Sequence, residues 1–371
     1  MLVRRPPLRV QELADRRPPF RLLVDGIIFG LSPYGGVITF WTEFLTRFRG
    51  IGGEVDLRLP ADLVAEPPVA ARSPASDPRL PVVFTSTYFT APPIAVDAEF
   101  TVVHDLLYED LPGLSTGDPI PTILDDKAQS IRRTDLVVVP SHSTAARLRI
   151  HYPDLTAPTV IVPHGSVTDD ELVEPDASDL RLDEVPHGTP FLLHVGGRHA
   201  YKGFATVLRA FLDSELHRRF HLVVVGSEPD PTRSEREAID AAGAQGRVLF
   251  LGRVARSELI LLYRQASAVV CASAVEGFGL PAVEAAACGV PIACSRIDVF
   301  AETIGTVAHF FEPGDPVDCA SAISEAITHT TGVRSDRASA IRRKFNWDSS
   351  FSSILAALTP TVERHRWGGY R

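Results

Sequence analysis

Lysine is almost missing from this chain: of 37 basic residues, 34 are arginine, leaving only Lys127, Lys202 and Lys344. The bias is genomic rather than mechanistic in character, but it makes each lysine informative, since an ammonium is a compact point charge that a guanidinium does not replace. Cysteine is scarce as well. Cys271, Cys288, Cys294 and Cys319 show neither a CxxC pair nor zinc spacing, and three of them lie in or beside one apolar stretch, where cysteine behaves as a small buried residue. A reducing, cytoplasmic setting is therefore expected. No run reaches the ~18 apolar residues of a membrane-spanning helix. The opening MLVRRPPLRVQELADRRPPF is basic and lacks the apolar segment of a signal peptide. There is no basic excess either, because the formal charge is −9, and this excludes an ordinary nucleic-acid binder.

What is present is a globular composition, 45% hydrophobic and 22% charged, over 371 residues. That is too long for one ordinary core, so two domains are expected. The stretch around which the chain is organised is Ala268–Ser295, AVVCASAVEGFGLPAVEAAACGVPIACS. It reads as a buried strand over Ala268–Ala272, a glycine loop, a helix that Pro281 can open, and a second strand over Ile292–Cys294. Gly277 and Gly279 allow a sharp turn and close approach of backbone N–H groups to a ligand. A loop that feeds a helix start offers free N–H groups and partial positive charge to an anion. Glu276 stands at the mouth of this loop and Glu284 on the first helical turns. Two acids eight positions apart, with a helix start between them, can touch both ends of one anionic, hydroxyl-bearing ligand. The alternative is a surface loop with two solvated glutamates, although Glu276 is flanked by residues that favour burial and would need a partner.

A second such unit precedes it. The strand Phe191–Val195 runs into Gly196-Gly197-Arg198-His199-Ala200-Tyr201-Lys202-Gly203, and a helix is expected from about Phe204 to Leu212. Arg198 gives a planar fork and Lys202 a mobile charge; four apart at a helix entrance, they suit a diphosphate. A solvated basic turn is the alternative. Strands are also expected at Leu222–Val225 and Val248–Leu251, the latter leading to Gly252-Arg253-Val254, with a helix over Glu258–Gln265. Beyond Ser295 come a short helix at Val299–Ile304, a strand at Val307–Phe311, a helix at Val317–Thr328 and a final helix over Asp348–Leu358.

In the first half, a strand over Phe20–Phe29 ends in Gly30 and the loop Leu31–Gly36, and Gly35-Gly36 open a helix from Val37 to about Arg49. Phe40, Phe44 and Phe48 recur every four residues within it. The stripe is expected to pack on the sheet, with a membrane-facing surface as the less favoured reading. Val55–Leu59 suggests a strand weakly, residues 60–81 read as a surface loop, and strands are expected at Val82–Ser86 and Phe100–Val103. The last runs into His104-Asp105, at a carboxyl strand end, where open α/β sheets bind ligands; a histidine satisfied by its own loop is the alternative. A helix over residues 123–133 carries Lys127. The strand Leu136–Val139 leads to Ser141 and Ser143, either of which can cap the helix Ala145–Tyr152, and Thr159–Val162 is a strand ending in Pro163-His164-Gly165. Residues 1–19 read as a loose lead-in and 166–188 as an acidic linker.

The string Glu276-Gly277-Phe278-Gly279-Leu280-Pro281 followed by Glu284 resembles the E-x7-E signature of retaining glycosyltransferases of the GT-B type, family 4, and the resemblance extends from Phe20 to Leu358. It implies an α/β fold of two Rossmann-like domains facing across a cleft, with a C-terminal helix crossing back to the N-terminal domain and marked by Trp347. The domains would span 1–168 (acceptor side), 169–345 (nucleotide-sugar side) and 346–371 (the returning helix). By resemblance, Arg198 and Lys202 bind the donor pyrophosphate, although some members space this pair one residue wider. Val254 presents backbone to the base, Glu276 meets the sugar, Glu284 holds the ribose hydroxyls, and His104 hydrogen-bonds a sugar hydroxyl. Gly35 and Gly36 border the cleft near the donor phosphates, and Asp105 holds its loop or faces the acceptor. Together with the N–H groups of Phe278–Leu280, Arg198 and Lys202 would stabilise the departing diphosphate by standing charge.

No metal or cofactor is then expected. The nucleotide-diphosphate sugar is a co-substrate, and no Asp-x-Asp element follows a strand, since Asp97-Ala98-Glu99 reads as loop. The reaction implied is hexosyl transfer with retention, by same-face attack on the sugar, to a hydroxyl acceptor such as a glycan, a lipid-linked sugar or a small natural product. The GGRxxYK spelling is similar to that of bacterial mannosyl- or rhamnosyl-type transferases, which leaves GDP, UDP and dTDP sugars open. A nucleotide-sugar epimerase or phosphorylase of the same fold, or a non-catalytic nucleotide-sugar-binding subunit, are the other readings.

Overall fold

The computed structural model describes residues 17–31, 35–64, 66–71, 77–112, 120–172, 185, 188–328 and 334–367. Most of the lead-in, part of the loop after the first strand, part of the 60–81 loop and most of the acidic stretch after residue 172 lie outside them. Contacts divide the chain into two units, 1–165 with 345–371, and 166–344.

In the first unit, β1 (Arg21–Asp25), β2 (Val55–Arg58), β3 (Val82–Ser86), β4 (Ala98–Val102), β5 (Leu136–Val139) and β6 (Thr159–Ile161) form one sheet in the order β2-β1-β3-β4-β5-β6. Every pairing is parallel. Parallel strands require crossovers, and helices on the faces cover the apolar runs. The aromatic stripe does this for one face: Phe40, Trp41, Phe44, Leu45 and Phe48 of the Gly36–Gly50 helix are buried, with Phe44 edge-on to Phe100 at 6.0 Å. The membrane-facing reading of that stripe fails, because nothing of it is left exposed.

Three expectations for this unit are corrected. The first strand stops at Asp25 instead of Phe29, and residues Ile28–Leu31 turn helical. The Asp25 carboxylate accepts from Ile27 N–H (3.1 Å) and Thr87 Oγ1 from Ile28 N–H (3.0 Å), which takes both amides out of the ladder. β4 begins at Ala98, so Glu99 is not in a loop; it is buried, and Arg133 Nε reaches both its oxygens at 2.9 and 3.1 Å. The last helix extends over Trp347–Trp367, through Pro360. An internal proline costs about 3 kcal/mol, and here burial of Leu358 and Val362 on either side of it in the core offsets that loss.

The same helix is part of the first unit. Trp347, Phe351, Ile354, Leu355, Leu358 and Val362 join the core of the β1–β4 face. Its start is fixed by Asn346 Oδ1, which accepts from Asp348 N–H at 2.8 Å. The indole of Trp347 lies so close over Gly165 that a Cβ there would come within 2.2 Å of the ring.

In the second unit, β7 (Phe191–Val195), β8 (His221–Val225), β9 (Val248–Gly252), β10 (Ala268–Cys271), β11 (Ile292–Ser295) and β12 (Ala308–Phe311) form a second all-parallel sheet, ordered β12-β11-β10-β7-β8-β9. Numbered within the unit this is the Rossmann order 3-2-1-4-5-6 read from one edge. The order reverses between β7 and β10, and ligands of such sheets bind outside the carboxyl ends at that point. Two helices absent from the sequence reading, Arg233–Ala241 and Arg334–Lys344, also belong here. Among the described residues no helix is long and apolar enough to cross a membrane.

Candidate functional site

The switch point of the second unit brings two glycine loops together. After β7, Gly196 takes φ 145° and Gly203 φ 68°, conformations that favour glycine. Gly203 also passes so near β10 that a Cβ would lie 2.1 Å from the Ala272 carbonyl oxygen. The Ala274 N–H donates to the Tyr201 carbonyl at 2.7 Å, joining the loop after β10 to the one after β7.

On this frame Lys202 Nζ sits 2.5 Å from Glu276 Oε1, and the Ser273 hydroxyl donates to the same oxygen at 2.8 Å. Both charged side chains keep some exposure, 22% for Lys202 and 15% for Glu276. An ammonium, a carboxylate and a hydroxyl thus converge at the carboxyl ends of β7 and β10. Directly after Glu276, the Leu280–Cys288 helix starts from Gly279 (φ 77°) with no side chain capping its first turn. A Cβ on Gly279 would stand 2.4 Å from the Phe300 ring, so only glycine lets the helix begin at that spot.

Arg198 is held by partners of its own. Its side chain is only 4% exposed and packs over the Phe250 ring at 4.8 Å. It donates to the carbonyls of Glu228 (2.7 Å) and Asp230, and Nε lies 3.2 Å from Glu235. In this arrangement it ties the loop after β7 to the loop after β8. Lys202 in turn is engaged with Glu276, so each of the two cations expected at the diphosphate holds other partners here.

Glu284 is buried on the Leu280–Cys288 helix. One carboxylate oxygen pairs with Arg256 and the other accepts from the Tyr263 hydroxyl at 3.1 Å. Arg256 also reaches Glu171 at 2.9 Å. Burial pushes the Glu284 carboxyl up, against the pull of Arg256 and of the Tyr263 hydroxyl. Arg256 and Tyr263 escaped the sequence reading, although seven residues on one helix return to the same face and offered a signal. Val254 lies half-buried beyond β9, between Gly252 (φ 62°) and the Ala255 N–H that Glu258 caps at 2.7 Å.

In the first unit, His104 follows β4. Both ring nitrogens are shielded from solvent and meet no hydrogen-bond partner among the described residues. Its ring lies edge-on to Phe40 and to His164, at 5.1 and 5.4 Å between centroids. Burial, and then the Lys127 charge, push the His104 imidazole down to about 3. It is therefore a neutral ring at neutral pH, able to donate from one nitrogen and accept at the other. Asp105 accepts from the Leu107 N–H at 3.2 Å and so holds its own loop. Gly35 (φ 118°) precedes Gly36 at the start of the Gly36–Gly50 helix, and a Cβ there would meet nothing within 4 Å.

Residues 181–344 match the family described as glycosyl transferases group 1. Among curated proteins, O-antigen chain mannosyltransferase B of Escherichia coli is 28% identical over 172 residues, 45% of either chain. D-inositol 3-phosphate glycosyltransferase of Thermobifida fusca is 29% identical over 203 residues, 51% of this chain and 47% of that one. The chain thus spans less than half the length of these relatives. Among solved structures, sucrose-phosphate synthase from Thermosynechococcus elongatus superposes with a TM-score of 0.70 at 20% identity, covering 94% of this chain and 100% of that one. Anabaena HepE, in complex with UDP and glucose, gives 0.67 at 17% identity, over 92% of this chain and 100% of that one. At these identities the structural likeness concerns the fold.

Proposed function

We infer that this chain, which through residues 181–344 belongs to the glycosyl transferases group 1 family, moves a hexosyl unit from a nucleotide-diphosphate sugar to an acceptor hydroxyl with retention. The observation that carries this reading is the convergence of Lys202, Glu276 and Ser273 at the switch point of the second sheet, beside an uncapped helix start. Departure of a nucleoside diphosphate requires standing positive charge at the leaving oxygen. In this reading Lys202 and the N–H groups of Phe278–Leu280, where the loop enters the helix, supply it, with no metal needed.

Glu276 neutralises Lys202 in the free protein. When the diphosphate arrives it takes over the ammonium, and the carboxylate turns to the sugar hydroxyls, where it also shields charge developing at the anomeric carbon. The leaving phosphate oxygen accepts the proton of the attacking hydroxyl on the same face. Glu284 would serve the ribose through lone pairs left beside Arg256 and Tyr263, since a carboxylate has about four acceptor sites. Arg198 would act by holding the loop that carries Lys202. His104 would offer a neutral ring to a sugar hydroxyl.

The curated relatives named as mannosyltransferases put GDP-mannose first among donors to try, followed by UDP- and dTDP-hexoses. The test is release of nucleoside diphosphate from each donor, with and without sugar acceptors. Acceptor-dependent release with a glycoside product is expected. A new sugar nucleotide formed from donor alone would mean epimerisation, and binding without turnover would mean a non-catalytic subunit.

A further inference from the structure

The Ile120–Arg133 helix carries a buried lysine that the reaction scheme does not use. Lys127, one of the three lysines in the chain, is 3% exposed. Its ammonium donates to the Asp105 carbonyl at 2.8 Å and to Glu109 Oε2 at 2.9 Å, and it lies 5.6 Å from the centre of the Phe89 ring. The other oxygen of Glu109 accepts from the Tyr152 hydroxyl at 3.0 Å. One face of the same helix also grips the loop after β3: Ser130 Oγ donates to the Phe89 carbonyl at 3.0 Å and Arg133 to the Thr90 carbonyl at 2.6 Å. Phe89 has φ 65°, the only positive φ outside glycine among the described residues. Backbone strain of this kind costs roughly 1–3 kcal/mol and persists only where neighbours enforce it.

We propose that Lys127 is a positioning residue for His104: its buried ammonium locks the His104-Asp105 turn and the Phe89 turn into one arrangement. The chemistry of the side chain fits the task. Three tetrahedral donors on a compact head reach a carbonyl and a carboxylate beside a ring from one buried point, where the larger planar fork of a guanidinium would need a different geometry. The groups facing His104 are the His164 ring from the loop after β6, Lys127 from its own helix and the adjacent Asp105. Of these, Lys127 is the fixed cation, and its charge adds to burial in keeping the imidazole neutral. The catalytic consequence rests on the transferase reading, while the effect on the imidazole does not.

The test pairs Lys127→Met with Glu109→Gln, so that no unpaired buried charge remains, and uses Lys127→Arg as a second variant. Ring resonances of His104 are followed by NMR in selectively labelled protein from pH 7 to pH 4. In the double variant the protonated share at pH 4 should rise about two- to threefold, the effect of half a pH unit. Transfer kcat should fall between about 10- and 100-fold with the donor KM within about twofold, as a misplaced group produces. Lys127→Arg, which keeps the charge, should lower kcat without moving the titration. An unmoved His104 titration in the folded double variant overturns the link to His104, whatever happens to kcat. A moved titration with unchanged kcat overturns the catalytic consequence. If the wild-type chain transfers no sugar, the transferase reading fails, and the titration still decides the link. Should the double variant not fold, Lys127→Arg decides: wild-type kcat in that variant overturns the proposal.

Discussion

Lys202 and Glu276, 74 residues apart in sequence, meet at 2.5 Å between Nζ and Oε1. The cation proposed for the donor phosphates is thus already neutralised in the free protein. Glu276→Gln frees it. That variant should bind nucleoside diphosphate at least as tightly as the wild type, by calorimetry, while sugar transfer falls about 100-fold or more. Lys202→Ala should do the reverse and weaken nucleotide binding. Weakened binding in Glu276→Gln would mean that the two residues do not compete for the phosphate.

Glu284 tests the ribose. A carboxylate that holds two hydroxyls rejects a nucleotide lacking one of them, because a buried acceptor is left unpaired. The wild type should prefer a ribonucleoside diphosphate over its 2′-deoxy counterpart about tenfold or more, and Glu284→Gln should lose most of that preference. Glu284→Ala should also lower the melting temperature, since it strips Arg256 and Tyr263 of a buried partner. Equal preference in wild type and Glu284→Gln would reduce Glu284 to a structural ion pair.

His194 makes stability depend on pH. It is fully buried on β7, 3.1 Å from the Val270 carbonyl, and because that oxygen can only accept, Nδ1 carries the proton of a neutral ring. Burial, opposed by that carbonyl, pushes the imidazole down to about 4. The unfolded chain therefore binds the proton first, and stability is lost as pH falls from about 6.5 toward about 4. At pH 5 this one group costs about 2 kcal/mol. Hydrogen exchange of β7 and β10 amides should show that decline, and His194→Phe should flatten it. An unchanged slope would assign the pH dependence to other groups.

Two glycines with nearly the same backbone angle separate strain from crowding. Gly243 (φ 64°) has nothing within 4 Å of a Cβ, whereas Gly203 (φ 68°) would drive one into the Ala272 carbonyl. Gly243→Ala should cost about 1 kcal/mol, the ordinary left-handed penalty, and leave nucleotide binding alone. Gly203→Ala should cost about 3 kcal/mol or more and abolish binding, because the two loops can no longer touch. Equal costs in denaturant melts would show that the loops yield easily.

Much of this molecule was legible in its residues because parallel strands are continuous apolar runs and their carboxyl ends are punctuated by glycine. The strands β7, β8 and β10 and the loops after β7 and β10 followed from that pattern alone. The Arg233–Ala241 helix was missed although Thr232 and Glu235 form a capping box, with Glu235 N–H to Thr232 Oγ1 at 3.3 Å and Thr232 N–H to Glu235 at 2.7 Å. Its polar face hid it from a search keyed to apolar period. Arg198 illustrates a different limit. Sequence spacing placed it beside Lys202, but spacing does not say which way a side chain turns, and the aromatic floor of Phe204 and Phe250 draws the guanidinium inward. Partners such as Arg256 for Glu284 come from another helix, and the seven-residue return of Arg256 and Tyr263 marks a shared face without saying what that face meets.

The contact of Trp347 with Gly165 bears on how the chain matures. The second unit is an insertion in the first, bounded by two residues that the fold brings side by side, and the helix that completes the first core follows the whole of the second unit in the chain. The guest sheet, continuous over 166–344, can fold while its host still lacks a wall. A chain halted before Phe345 should accordingly carry a protease-resistant second sheet beside a digestible first one.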